Sequence, residues 1–445
     1  MRDRVVWGLT ALYAVLFTAL GAVRYSAHRN FVDFGIFAQT AASAFGCFCN
    51  AVEGSHYAFH FSPVLYIVGA VIALVRSPIA LIALQASAGA LVIPPIAGIV
   101  ARHGDRSLSR LTAAVVFLYP ALGGAIFTDF HENGFAPAAV AWMLWAFDGG
   151  YLVATAFAAA IVLCVKEDQA LFLAAAGSMG AWRYRGSTAG RYALGIAVAA
   201  LAVFGMFFLA IQPHAAANPQ WAPTRFYAWT AADVRALVPL GVLQRLGFFA
   251  LAFGPLLFLP FRSRMMWLAA APLAEVLLSR MSTTFTLGTH YAGAWIGYVL
   301  VAFAFAVGGL QAPLARKYLW WCIAICVLEY AVANPLHPGL NLHPPAPRDA
   351  ALERVLRGLP PDISIATQEE AYTHLALRDP YARPLPDDPA RITHACFVLL
   401  DRDYPDSPRL VEYGSRVDAL VRSGVYTKVL QRGGIDLYRR RGACR

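Results

Sequence analysis

Charge is scarce in this chain. Of its 445 residues only 14% are Asp, Glu, Lys or Arg while 59% are hydrophobic, against roughly 45–50% apolar in soluble domains. A soluble globule is thereby excluded. Also missing are a CxxC pair, an HExxH motif, an internal repeat and any low-complexity tract, so neither a thiol-redox centre nor a zinc-hydrolase signature is present. Three of the seven cysteines, Cys164, Cys322 and Cys326, sit in apolar runs where packing is their ordinary role. Cys396 and Cys444 are candidates for pairing if the tail is extracytoplasmic.

What remains is a series of apolar runs close to the ~20 residues of a bilayer-spanning helix, separated by short charged loops. The formal charge of +10 is spread over those loops. It therefore reports insertion orientation, not nucleic-acid binding. The apolar run at 5–23 is longer than a signal-peptide core and reads as a signal anchor. A polar stretch from Arg24 to Ser62 follows it, and the short apolar piece 63–75 is assigned to the interface. With that choice the loops carrying Arg102, Arg106 and Arg110, then Arg183, Arg185 and Arg191, then Arg262 and Arg264, then Arg316 and Lys317 all fall inside. If 63–75 crossed, every one of them would fall outside.

The expected architecture is an all-α polytopic membrane bundle of about 11 spans, with the N-terminus inside and the C-terminus outside. After the first, the spans are placed at 78–101, 111–128, 135–147, 149–165, 169–182, 192–211, 246–261, 265–279, 291–311 and 318–334. This transmembrane region, 1–334, gives way at Pro335 to a Pro-rich linker and a soluble segment, 335–445. There, strand patterns at 363–366, 395–400 and 426–430 alternate with helical patterns near 349–357, 368–377 and 409–423, as in a small α/β domain.

This topology collects at the outer rim residues far apart in sequence: Asp33, Glu53, His56 and His60, then Asp129, His131 and Glu132, then Lys166, Glu167, Asp168 and His290. Interfacial solvation is the plain account of any one of them. As a group they offer more. Asp33 lies in an aromatic-rich stretch, 30–37, suited to an amphipathic interfacial helix that aims the carboxylate into the bundle as a general base. Asp129, His131 and Glu132, with His60, are of the right types for a divalent cation or for a hydrogen-bonded cluster. Lys166-Glu167-Asp168 reads as a self-neutralised knot or as a source of positive charge for phosphate. The loop 212–245, with Trp221, Tyr227, Trp229, Arg225 and Arg235, reads as an interfacial anchor or as a grip on a lipid-linked sugar phosphate.

Asp33-Phe34-Gly35-Ile36-Phe37-Ala38-Gln39, His60-Phe61-Ser62-Pro63, Thr128-Asp129-Phe130-His131-Glu132, Lys166-Glu167-Asp168, His290-Tyr291 and Thr373-His374-Leu375-Ala376-Leu377-Arg378 together resemble a bacterial multi-spanning membrane family, domain of unknown function two thousand and seventy-nine (DUF2079). That family looks like a branch of the type-C glycosyltransferases, which use polyprenyl-phosphate-linked sugars. The resemblance implies a bacterial cytoplasmic-membrane protein with interfacial helices in its first outer loop. It also implies Asp33 and Asp129 as catalytic acidic residues. Substrate contacts are then expected from His60, His131, Glu132, Lys166, Glu167, Asp168, Arg225, His290 and Tyr291, with a lipid-linked sugar donor as partner. The DxD pattern of the superfamily is absent at Asp33. A transporter or flippase is the first rival reading, carried by Pro94-Pro95, Glu275 and Glu329, and a non-catalytic scaffold or sensor is the second.

Overall fold

The computed structural model describes residues 3–216, 226–227, 229–337, 342–386, 388–404 and 410–442. The chain divides into two compact units. The first comprises residues 1–20, 57–64 and 82–338, and the second comprises 21–56, 65–81 and 339–445.

Among the described residues four helices are long and apolar enough to cross a membrane: Arg4–Ser26, Pro78–His103, Thr188–Ala215 and His290–Gly308. A fifth span is formed if the bent pair Leu108–Leu118 and Pro120–Phe127 counts as one. The bend of 46° has a local cause, because Tyr119 precedes a proline and takes an extended ψ of 114°. Pro120 then opens the second helix, where its missing N–H costs nothing. The other expected spans correspond to shorter helices, including Ala136–Asp148, Leu152–Leu163, Glu167–Arg183 and Ala270–Leu278. The expected span at 246–261 stops early. Its helix, Val242–Phe253, gives way to 3-10 turns at Pro255, and Leu257 and Phe258 follow in the left-handed region.

Gly293–Gly308 is the axis of the first unit, buried along almost its whole length. Gly297 allows this, since a Cβ there would stand 2.8 Å from the Pro137 carbonyl. Residues that the charge rule puts on one side do meet: Arg110 donates to Asp3 at 2.8 Å, Arg102 pairs with Asp148, and Arg316 donates to Ser107 at 3.2 Å.

The second unit contains a five-stranded sheet in the order Ala382–Pro384, Ile365–Thr367, Phe397–Asp401, Ile435–Arg440, Tyr426–Arg432. The first three strands run parallel and the last two antiparallel to their neighbours, with Ala366 opposite Val398 and Val398 opposite Tyr438. The strands at 382–384 and 435–440 are additions to the three expected from sequence. Val398, Leu400, Val417 and Tyr426 fill the space between the sheet and the helix Leu410–Arg422.

The C-terminal segment shares its unit with residues 21–56 and 65–81. Helix Val32–Ala42 packs on helix Glu369–Leu375, and Gln39 ties them by donating to the carbonyls of Asp379 and Ala382 at 2.9 and 2.8 Å while accepting from Tyr372 Oη at 2.9 Å. Gly35 is required there because the Tyr372 ring occupies the place of its Cβ. The helix expected to be amphipathic is instead covered, with Phe34 to Ala41 all buried. A neighbouring turn is closed by a Cys47–Cys49 disulfide.

Candidate functional site

Four turns of the first unit converge. His60 belongs to the segment 57–64, Asp129 to Glu132 follow the bent pair of helices, Lys166 caps the start of Glu167–Arg183, and His290-Tyr291 open the central helix. The Lys166 backbone is extended, with φ −162° and ψ 156°, so the helix begins abruptly and Glu167 and Asp168 lie in its first turn. Carboxylates there complement the partial positive charge of a helix N-terminus.

The charges are paired between turns, not within the Lys-Glu-Asp triplet. Glu167 turns to the His60 side: its Oε1 lies 2.9 Å from His60 Nδ1 and its Oε2 accepts from the Phe61 amide at 2.9 Å. Lys166 faces Glu132 instead, Nζ to Oε1 3.7 Å, and the second oxygen of Glu132 is 3.0 Å from His131 Nδ1. Glu132 is 0% and Lys166 7% exposed. Burial alone would neutralise Glu132, but His131 and Lys166 outweigh it and hold the carboxyl well below its usual range. Burial likewise pushes Lys166 down, and Glu132, Asp168 and Glu167 more than reverse that, so the ammonium persists. His131, in contrast, is driven down to about 4 by burial and is neutral near pH 7. Glu167 overcomes the burial of His60 and raises it. Among the described residues no hydrogen bond reaches Lys166 Nζ, since its nearest carboxylate lies beyond 3.5 Å.

The rings of His131 and His290 stack at 3.7 Å and 7°, with Tyr291 4.2 Å from His290. Asp129 is buried in the same turn as His131. Sequence reasoning missed Gln85, which fixes that turn: its Oε1 accepts from the His131 amide at 2.8 Å, and its Nε2 donates to the carbonyls of Ile126, Thr128 and Asp129 at 2.9, 3.3 and 3.3 Å. A lone glutamine inside an apolar span was the available signal. Glu275, weighed only as a sign of transport, is instead an electrostatic neighbour of Asp168 and Lys166.

Asp33 is half-buried in the first turn of Val32–Ala42, in the second unit. Arg225 and Trp221 lie outside the described residues, as does Cys444. Of the aromatic loop, Trp229 donates to the Leu278 carbonyl at 2.8 Å, and Arg245 crosses Phe285 at 4.3 Å while binding the Leu277 carbonyl at 2.7 Å. The candidate cation ligands Asp129, His131, Glu132 and His60 do not bring three ligand atoms within 4.8 Å of one another. An apolar cavity of about 650 Å³ opens near Arg183, at the far end of the helix that Lys166 begins, and is separate from this site.

The described residues thus form a helical bundle with a buried Lys-Glu-His cluster at the start of its helices, and a small α/β segment. The chain belongs to the DUF2079 family, described as "Predicted membrane protein", whose model matches residues 28–409. The fold is similar to that of ArnT from Cupriavidus metallidurans bound to undecaprenyl phosphate, at 15% identity, covering 95% of this chain and 97% of that one with a TM-score of 0.53. The apo form of the same protein matches at 14% identity, 96% and 98% coverage and a TM-score of 0.53. An oligosaccharyltransferase from Archaeoglobus fulgidus matches more weakly, at 12% identity, 90% and 70% coverage and a TM-score of 0.46. No curated protein matches the chain in sequence.

Proposed function

We propose that this protein transfers a sugar from a polyprenyl-phosphate donor to an acceptor hydroxyl at the outer face of the bacterial cytoplasmic membrane. The observation that carries the reading is Lys166, an ammonium buried at the head of a helix, kept charged by carboxylates and not consumed by a hydrogen bond among the described residues. Such a group suits a phosphate leaving group, whose charge grows as the sugar departs. His131 is neutral at working pH and His290 stacks on it, so the pair supplies polar ring edges without a second positive charge. Glu167 and His60 brace the turn from the other side. That ArnT, of similar fold, has been captured with undecaprenyl phosphate supports a lipid-phosphate partner.

In this reading Asp129 orients the acceptor, and Asp33 is the base at the position implied by the family resemblance. The short helices complete a bundle of about 11 membrane-crossing segments, some of them tilted or partly buried. The C-terminal segment, together with residues 21–56, lies outside the cell, where a Cys47–Cys49 disulfide is stable. The test is transfer from radiolabelled polyprenyl-phosphate sugars by the full-length protein in liposomes. Turnover lost in Asp33→Asn and in Lys166→Met, with folding intact, supports the reading. Turnover with no donor, or equal turnover in both variants, transfers the case to a transporter or a scaffold.

A further inference from the structure

The second unit contains a cluster that the transferase reading does not use. His28 is 1% exposed, and neither of its ring nitrogens has a hydrogen-bond partner. Its Nε2 is 3.7 Å from Glu353 Oε2 and its Nδ1 is 3.8 Å from Asp349 Oδ1, both too long for hydrogen bonds. His374 shows the complementary problem. Its Nε2 lies 2.9 Å from the Tyr25 carbonyl and so must carry a proton, which leaves the Nδ1 lone pair of a neutral ring 2.9 Å from the same Glu353 oxygen. A lone pair facing a carboxylate at that distance needs a cation between them. A proton on His374 would serve that ring, yet leave His28 buried with both nitrogens unpaired. A metal ion serves both rings.

We propose that His28, Glu353 and His374 bind a divalent ion of the zinc class. Their ligand atoms all lie within 4.8 Å of one another. In a tetrahedral site with bonds of about 2.0–2.1 Å, neighbouring ligand atoms stand about 3.3–3.4 Å apart. The observed separations of 2.9 and 3.7 Å fall on either side of that value. Two imidazoles and one carboxylate, with a fourth position for water, are a donor set that favours zinc over magnesium or calcium. One outer contact fits as well: the Tyr25 carbonyl fixes the tautomer of His374 by accepting from Nε2. Asp349 Oδ1 lies 3.8 Å from His28 Nδ1 and would have to move closer to hold that ring by a hydrogen bond. The two rings stack at 3.8 Å and 11°, so loading must turn them until their lone pairs converge.

Ligands come from three separated stretches: the turn after the first helix, helix Pro347–Arg357 and helix Glu369–Leu375. An ion there would staple the first outer loop to the C-terminal segment, stabilising the second unit whatever reaction the first performs.

Chelator-stripped full-length protein in nanodiscs is equilibrated with zinc sulfate, desalted and measured by metal analysis, thermal unfolding and X-ray absorption at the zinc edge. The site predicts about one zinc per chain, two imidazole nitrogens in its shell and a higher unfolding temperature. His374→Gln and Glu353→Gln each lose the zinc and the shift, while His394→Gln, at an exposed position, keeps both. If a variant does not fold, the absorption spectrum of the unmodified protein still decides. The proposal is overturned if unmodified protein holds no zinc, if the shell lacks two imidazoles, or if folded His374→Gln retains the metal.

Discussion

Replacing Lys166 by Met isolates the central electrostatic pair. Glu132 is 0% exposed, with Lys166 Nζ at 3.7 Å and His131 Nδ1 at 3.0 Å. Removing the ammonium leaves a buried carboxylate beside a ring that burial keeps neutral down to about pH 4. Breaking a buried pair from one side costs about 3–5 kcal/mol, and the 3.7 Å separation places this pair near the lower end. The expected loss at pH 8 is therefore about 3 kcal/mol. It should narrow toward pH 5, because the Lys166 charge helps to hold His131 down and its removal lets that ring take up a proton that Glu132 stabilises. The double variant Lys166→Met/Glu132→Gln removes the orphaned charge and should regain most of the stability while remaining inactive in sugar transfer. Denaturant unfolding in nanodiscs, followed by tryptophan fluorescence at both pH values, measures the cycle. A single variant as stable as the parent, or a double variant no better than the single, would refute the reasoning.

Glu370 is buried with one carboxyl oxygen unpaired, and burial, aided by Glu369 and Asp401, lifts it to about 7 from 4.5. The folded state therefore prefers the protonated form, no penalty applies below pH 4.5, and about 3 kcal/mol of stability is lost as pH rises through 7. Glu370→Gln should flatten that slope and stabilise the protein at pH 8, which unfolding at pH 5 and 8 checks. Gly35→Ala drives a methyl into the Tyr372 ring and should cost about 1–3 kcal/mol, whereas Gly247→Ala, with nothing within 4 Å, should not. Thermal unfolding of the pair decides it. Gln85→Leu strips the 126–131 turn of its anchor, and hydrogen exchange should rise at the His131 amide while distant helices are unchanged.

The sequence by itself determined the solvent. Apolar runs and scattered loop charges require a membrane bundle because an unpaired backbone in lipid is prohibitive, so helices were the only outcome for those runs. Loop charge also grouped residues that pair in the first unit: Arg110 with Asp3, Arg102 with Asp148, and Arg316 with Ser107. The short motifs around His60, Asp129 to Glu132, Lys166 and His290 were legible as one group for the same reason. Periodicity also found three of the five strands, but missed 382–384 and 435–440, of which the first is only three residues long and leaves no alternation to read.

Tertiary structure decided who pairs with whom. Lys166 chooses Glu132 over its own neighbours Glu167 and Asp168 because helix-start geometry sends successive side chains in different directions, which no local pattern encodes. Likewise Asp33-Phe34-Gly35-Ile36-Phe37-Ala38-Gln39 read as an interfacial helix, yet Gly35 and Gln39 fit Tyr372 and the carbonyls of Asp379 and Ala382, more than 300 residues away. The same long closure brings His28 to Glu353 and His374. Contacts that distant depend on packing of the whole chain, so only the fold could bring those three side chains together.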